Sequence, residues 1–325
     1  MHRGRSRGAL LHELPDEEIA MNESNRRPSC TAVFVALASL LAASIPAIAQ
    51  DQSAAPRTPW GAPDLNGIWS HGTATPLERP EPQGDRELLT AAEIAEINAA
   101  QRSTEGVGAR RVVWWERSLS DGRTSMIVDP PDGRIPYSTA GRERVRARPG
   151  QTSEGPEGRS PQERCISYGI PRLGGPYSQN IHIAQTPDHV LLLFEMVHEF
   201  RIIPLDGRPH LPGHVRQWLG DSRGHWDGDT LVVETANFSP AQWFRGLSQG
   251  GMRLVERFTR LDEDTVRYEV TFDDSDLWTQ PWTAEILMPP TEGDMFEFAC
   301  HEGNTGIAAT LEIARLEEAA ADGAR

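Results

Sequence analysis

Glu195 is the residue in this sequence that most clearly indicates chemistry, because it interrupts an apolar run, Leu191–Val197. An unpaired buried carboxylate is unfavourable, so we expect Glu195 to be paired, protonated or bound to a ligand. Arg201 follows at an even offset and shares its face on an extended strand, whereas His198 faces away unless the strand breaks. One interpretation is an acid/base site in which Glu195 and His198 are catalytic and Arg201 binds an anionic oxygen. The other is a structural Glu–Arg pair.

A second polar cluster, Cys300–Asn304, follows the last apolar run of the chain. Its histidine, His301, is a candidate general base that titrates near neutral pH, and Glu302 or Asn304 would fix its tautomer and contact substrate. The alternative is a solvent-facing turn at Gly303. We favour the catalytic interpretation because a disulfide at Cys300 would anchor the cluster.

The loop that follows residue 205 carries further candidates for substrate binding, namely His210, Trp218 and Trp226. His210 and His214 have a spacing that suits a metal on a helix, but Pro212 and Gly213 between them oppose a helix. The alternative is a metal site formed by a carboxylate with some of the histidines His182, His210, His214 and His301. We predict no metal. Trp226 also fits a simpler role, as the start of a tight turn into a strand.

Composition excludes several other chemistries. The chain of 325 residues has 32 basic and 47 acidic side chains, a formal net charge of −15, and every basic residue is arginine. Without lysine there is no Schiff base and no standard phosphate-binding loop. The acidic balance argues against nucleic-acid binding. Neither a dinucleotide-binding glycine motif nor a Cys-x-x-Cys pair occurs, and Ser222 lacks the strand–turn–helix context of a hydrolase elbow. We therefore predict no cofactor.

Short apolar runs linked by turns must position these residues. We predict eight strands, without helices between them: 180–186, 190–197, 199–205, 230–236, 253–261, 265–272, 282–288 and 295–300. In one of them Val266, Tyr268, Val270 and Phe272 alternate with polar residues, which indicates one buried face. Such an antiparallel meander forms a sandwich or a barrel. We predict a mainly β fold that closes as a lipocalin-like barrel of about eight strands.

Helices are predicted only in the N-terminal half. Thr90 and Glu93 form a capping-box pattern at the start of a helix over 90–102, and a basic helix covers 139–148. A third, short helix starts at Ser160 and carries Cys165. The predicted organisation is an N-terminal strap over 50–160, a barrel domain over 161–311 and a C-terminal tail over 312–325.

The first 49 residues are typical of a signal peptide. Met21 is the better start, because Arg26 and Arg27 then precede an apolar run that ends in Ala47-Ile48-Ala49. The alternative is a single membrane anchor. Cleavage removes Cys30 and leaves Cys165 and Cys300, which we expect to pair as one disulfide in an oxidising compartment rather than stay as free thiols. We predict a periplasmic or secreted protein without a membrane span after cleavage.

The sequence resembles a family of exported bacterial proteins with no established activity. The shared motifs spread over most of the chain after residue 49: 60–69 (WGAPDLNGIW), 75–80 (TPLERP), 129–136 (DPPDGRIP), 163–166 (ERCI), 201–210 (RIIPLDGRPH), 217–226 (QWLGDSRGHW), 229–235 (DTLVVET) and 299–304 (ACHEGN). The resemblance supports export and implies no reaction.

Two functions remain open from the sequence. The first is a cofactor-free acid/base enzyme, a lyase, isomerase or hydrolase, that acts on a small, partly apolar substrate. Glu195 and His301 would move protons, and Arg201 would hold an oxyanion. The second is a carrier in which the same polar residues only orient a small-molecule ligand. The sequence indicates no oligomeric state.

Overall fold

Alternating apolar and polar residues produce the strands of this protein. A computed structural model describes residues 55–102, 118–147, 154–174, 179–245, 247–248, 250–291 and 293–323. Val266, Tyr268, Val270 and Phe272 are all buried, and the residues between them are more exposed, as the sequence predicts. The predicted signal peptide over 1–49 lies outside the described residues.

The fold is mainly β, as predicted. The strands are β1 (Gly67–Ser70), β2 (Ile127–Asp129), β3 (Asn180–Gln185), β4 (His189–Phe194), β5 (Phe200–Pro204), β6 (Asp221–Asp227), β7 (Thr230–Ala236), β8 (Trp243–Phe244), β9 (Leu247–Ser248), β10 (Arg253–Arg260), β11 (Val266–Asp273) and β12 (Trp282–Met288). The helices are α1 (Ala91–Arg102), α2 (Thr139–Ala147) and α3 (Gly306–Gly323).

The strands form two main antiparallel sheets. One sheet has the order β1-β3-β4-β5 and the other has the order β2-β12-β11-β10-β7-β6, while β8 and β9 form a small separate ribbon. Their inward-facing residues belong to one hydrophobic cluster, to which Leu192 of β4 and Phe258 of β10 both contribute. This shared core is the arrangement of a sandwich.

No sheet of the described residues closes into a barrel, so the predicted lipocalin-like barrel is not confirmed. Closure would require free strand edges at the two ends of the meander. Instead β1 pairs with β3, and β2 pairs with β12. Two strands from the N-terminal half thus occupy those edges, and the segment over 50–160 contributes to both sheets instead of forming an external strap. All described residues belong to one compact unit.

The predicted strand over 295–300 does not form. The backbone N–H of Phe296 donates to Glu195 Oε1 at 3.1 Å, and that of Phe298 donates to His198 Nδ1 at 3.4 Å. These two backbone N–H groups therefore bond to side chains instead of to the carbonyl groups of a neighbouring strand. Conversely, β6 is a strand that the sequence did not predict: it pairs with β7 across a turn at Gly228, whose φ is +60°.

The helices α1 and α2 match the prediction closely, and the capping box of α1 forms, with Thr90 N donating to Glu93 Oε2 at 2.7 Å. Ser160 and Glu163 also form this motif, but the predicted helix there does not continue beyond a turn. Cys165, at φ +52°, adopts a left-handed conformation that a helix cannot contain. The predicted tail over 312–325 falls largely within α3.

Candidate functional site

Glu195 is buried directly after β4, as the sequence predicts, and its carboxylate accepts hydrogen bonds from neighbouring protein groups. Its Oε2 accepts a hydrogen bond from Asn180 Nδ2 at 2.8 Å, and its Oε1 accepts one from Phe296 N. Asn180 Oδ1 in turn accepts from Thr291 Oγ1 at 2.7 Å. The carboxylate thus joins β3 to the segment that follows β12, which satisfies its charge without a ligand.

Arg201 is also buried, and its partner is Glu256 of β10 instead of Glu195. Its Nη1 and Nη2 donate to the two oxygens of Glu256 at 3.0 and 2.7 Å. Nη2 also donates to Ser222 Oγ at 2.9 Å and to Thr235 Oγ1 at 3.1 Å. Both terminal nitrogens of the guanidinium thus donate to these protein groups. Because Arg201 and Glu195 have different partners, the structure does not bring them together as one site.

The predicted cluster around His301 lies on the surface. His198, His301, Glu302 and Asn304 are all exposed. Asn304 Nδ2 donates to Glu163 O at 3.3 Å, and so fastens the segment beside the disulfide. The disulfide itself is confirmed, and it joins Cys165 to Cys300 across 135 residues.

The remaining predicted residues lie on the loop before β6 and on β6 itself. His210 Nδ1 is 2.9 Å from Asp221 Oδ2, and the buried Asp221 also pairs with Arg223 at 2.7 Å. Trp218 is 40% exposed, whereas Trp226 packs against the core. Among the described residues, no three histidine, cysteine or acidic side chains are grouped as metal ligands.

A pocket of about 250 Å³ opens at the end of the four-stranded sheet, where β1 ends and β3 begins. The segment 162–174 forms one wall, and the residues around β8 form another. The pocket is lined by His71, Leu77, Gln162, Tyr168, Pro171, Arg172, Leu173, Gly174, Gln179, Met196, Trp243, Phe244 and Arg245. Aromatic and aliphatic surfaces therefore surround a few polar groups, which is the usual composition of a small-molecule site.

His71 lines this pocket and follows β1 directly in the chain. Its backbone N–H donates to Gln179 O at 2.9 Å, which continues the pairing of β1 with β3 and fixes the residue in place. The side chain is only 4% exposed, and its Nδ1 has no hydrogen-bond partner among the described residues. Burial, with the nearby charge of Arg172, lowers the pKa of His71 to about 3. The imidazole is therefore neutral near pH 7.

Arg172 is the buried cation of the pocket. Its Nη2 donates to Glu199 Oε2 at 2.7 Å, and the guanidinium lies 4.6 Å from the ring centre of Tyr168 and 5.3 Å from that of Phe194. Its Nε is buried and has no hydrogen-bond partner among the described residues. Burial lowers the pKa of Arg172 to about 10, so the side chain stays charged at neutral pH.

A smaller cavity of about 10 Å³ lies deeper between the sheets. His71 and Arg172 line both cavities, and the inner one is also lined by Glu256 and Tyr268. Tyr268 Oη donates to Glu256 Oε1 at 2.9 Å, and burial with this carboxylate raises the pKa of Tyr268 well above 10. His71 and Arg172 thus separate the pocket from the ion pair of Arg201 in the core.

None of the pocket residues was among the site residues predicted from the sequence. They come from segments far apart along the chain, and the pairing of β1 with β3 places His71 beside Gln179, which also lines the pocket. One local pattern could have indicated part of the pocket from the sequence. It is the segment Tyr168–Arg172, in which an aromatic residue and an arginine flank Gly169 and Pro171.

Fold and site together define a disulfide-linked, mainly β protein with a pocket beside its two-sheet core. No protein-family model, curated protein or solved structure matches the chain. Each helix in the described part of the chain is too short or too polar to cross a lipid bilayer.

Proposed function

We propose that this protein binds a small, partly apolar ligand in the pocket beside His71 and Arg172. The observation that carries the proposal is His71, which lines the pocket and whose buried Nδ1 has no partner among the described residues. A polar atom buried without a hydrogen bond is unfavourable by about 1–3 kcal/mol. A ligand that bonded to this nitrogen would remove that cost.

The rest of the lining supports an apolar ligand body. Leu77, Leu173 and Met196 supply aliphatic surface, and Trp243 and Phe244 supply aromatic surface. Phe244 is held in place by Phe272 of the six-stranded sheet, at 5.0 Å between ring centres. This wall is therefore supported by the core and needs little ordering when a ligand binds, which favours affinity.

Binding without catalysis is the better supported of the two functions. A general base works best when its pKa is near the working pH, and His71, with a pKa of about 3, is far below it. The carboxylates that an acid/base mechanism would use, Glu195 and Glu256, are bonded to protein groups instead of facing the pocket. We therefore propose a carrier or sensor, and the cofactor-free enzyme remains the alternative.

We also propose that the protein is exported. The Cys165–Cys300 disulfide supports an oxidising compartment such as the periplasm or the exterior. The sequence pattern over 1–49 supports a signal peptide.

A pocket-filling substitution tests the binding function. Protein purified from its native compartment is analysed by native mass spectrometry for retained small molecules, in the wild type and in Leu77→Trp. We expect the wild type to retain a ligand that the variant lacks. Leu261→Trp, at an exposed loop position, is the control and should retain it. Equal retention by Leu77→Trp would place the ligand elsewhere and contradict the proposal.

A further inference from the structure

We propose that the ligand of this pocket is a small aromatic carboxylate, whose ring lies among the aromatic side chains and whose anionic group binds near Arg172, with the charge of Arg245 at the rim adding to the attraction. The proposal rests on the binding function proposed above and names its ligand class. The pocket's charge, the unpartnered polar atoms of Arg172 and His71 and its size each support it.

The charge of the pocket is opposite to that of the protein. Acidic residues outnumber basic ones by 47 to 32 in the chain. Among the described residues that line the pocket, the charged ones are Arg172 and Arg245, and none is acidic. An anionic ligand would therefore be attracted by the arginines of the pocket, although the protein as a whole is acidic. A cationic ligand would be repelled by the same two arginines. This contrast gives selectivity for anions.

The carboxylates nearest to these arginines are already engaged. Glu199 Oε2 accepts hydrogen bonds from Arg172 Nη2 at 2.7 Å and from the backbone N–H of Tyr168 at 3.0 Å. Glu78, which lies close to Tyr137 beside Arg245, accepts from the backbone N–H of Ile135 at 3.0 Å. Both lie outside the lining and accept hydrogen bonds from protein groups, and no acidic side chain is among the described residues that line the pocket.

Arg172 and His71 both line the pocket, and each has one buried polar atom without a hydrogen-bond partner among the described residues. The Nε–H of Arg172 is a donor without a partner among the described residues, and Nδ1 of His71 is likewise unpartnered. A carboxylate oxygen can accept from the first, and from the second when the neutral imidazole carries its proton there. Arg245 is exposed at the rim and is held next to the Tyr137 hydroxyl, where its positive charge attracts an anion that enters the pocket.

The size of the pocket limits the ligand to one ring with a short acid chain. A cavity of about 150 Å³ holds benzene. The 250 Å³ found here leaves room for a short chain that carries the carboxylate. Tyr168, Trp243 and Phe244 present ring surfaces to such a molecule, and contacts between aromatic rings add to the hydrophobic contribution.

Three probes that differ only in the head group test this assignment. 3-Phenylpropanoate, 3-phenylpropanol and 3-phenylpropylamine are titrated into the full-length protein at pH 7, with tryptophan fluorescence and calorimetry as readouts. We expect the acid to bind about tenfold or more tightly than the alcohol, because a hydrogen bond to a charged group contributes more than a neutral one. The amine should bind most weakly.

Substitution of the rim arginine assigns the preference to this pocket. Arg245→Gln should reduce the preference for the acid over the alcohol at least threefold, and the alcohol's own affinity should change little. Arg257→Gln removes an exposed arginine on β10 that pairs with Asp227, and as the control it should leave both affinities unchanged. Because Arg245 is exposed, we expect its loss to leave the fold intact.

The outcomes separate this inference from the function on which it rests. Equal affinity for acid and alcohol, both lost in Leu77→Trp, would overturn the carboxylate assignment and leave the binding function standing. A preference for the acid that Arg245→Gln does not change would also overturn it, because the anion would then be recognised elsewhere. No saturable binding of any of the three probes would overturn the aromatic-carboxylate assignment, while the binding function is judged separately by the retained-ligand comparison of the wild type with Leu77→Trp.

Discussion

The guanidinium of Arg201 on β5 donates to both carboxylate oxygens of Glu256 on β10, so one buried ion pair joins the two sheets. The two side chains are 3% and 2% exposed. Ser222 and Thr235 bond to the same guanidinium, and Tyr268 bonds to the carboxylate. Inside an apolar core these polar groups have few other hydrogen-bond partners. The network therefore fixes how the two sheets face each other.

Removing one member of this pair should strongly destabilise the protein. We expect Arg201→Met to lower the free energy of unfolding by about 3–5 kcal/mol, because Glu256 is then buried without its partner. Urea unfolding followed by circular dichroism measures the change. The exposed pair of Arg257 with Asp227 supplies the control: Arg257→Met should change stability by less than about 1 kcal/mol.

The double variant Arg201→Met/Glu256→Met separates two causes of destabilisation: the loss of the attraction between the two side chains, and the burial of one charge without its partner. It should be more stable than Arg201→Met, because both charges are gone. If the double variant is less stable than the wild type by the sum of the effects of Arg201→Met and Glu256→Met, the two residues act independently, against the geometry described above.

The disulfide should contribute to stability through the long loop that it closes. Reduction, or the double substitution Cys165→Ala/Cys300→Ala, should lower stability by about 2–5 kcal/mol, since a cross-link over 135 residues restricts the unfolded chain. Denaturant midpoints with and without reductant measure this. Reductant should not affect the double variant. Without reductant, the denatured full-length chain should titrate with one thiol, that of Cys30, and a titre of three would contradict the bond.

Local patterns predicted most of the strands but not the order in which they pair in the two sheets. Alternation in 266–272 identified β11 and its buried face, because that pattern depends only on neighbouring residues. The pairing of β1 with β3 depends on segments more than a hundred residues apart, which no local pattern reports. The helix α3 was predictable from its alanine, leucine and glutamate content, which favours helix.

The candidate site was harder to predict for the same reason. Burial of Glu195 followed from its apolar neighbours and is confirmed. The partners of Glu195 and Arg201, which are Asn180 and Glu256, come from other strands. The shared site expected from their even offset fails because β4 ends at Phe194, where a turn that includes Val197 at φ +62° changes the direction of the chain.

The low pKa of His71 predicts a dependence of stability on pH. Its pKa is about 3 in the folded protein against 6.5 ordinarily, so between these values the unfolded chain binds the extra proton. The contribution of His71 to the free energy of unfolding should therefore be fully present above pH 6.5 and should be lost as the pH falls toward 3. At pH 5 the loss should be about 2 kcal/mol. We expect His71→Gln to reduce the slope between pH 7 and pH 5, measured by urea unfolding. His225→Gln, at an exposed position of β6, should keep the wild-type slope, and identical slopes in all three proteins would contradict the burial of a neutral imidazole.

Glu195 provides a test of whether its carboxylate is structural or catalytic. The side chain accepts hydrogen bonds from Asn180 Nδ2 and Phe296 N, and the amide of Glu195→Gln would turn an N–H group toward one of these donors. We expect a loss of about 1–3 kcal/mol in stability, from one unsatisfied buried donor, and no change in the affinity of the pocket for its ligand. Urea unfolding and ligand titration of the same variant measure the two quantities. Glu234→Gln, at an exposed position of β7, is the matched control and should change neither. Unchanged stability together with a lost turnover of bound ligand would instead assign Glu195 to catalysis, because a carboxylate with only a structural role takes no part in a reaction.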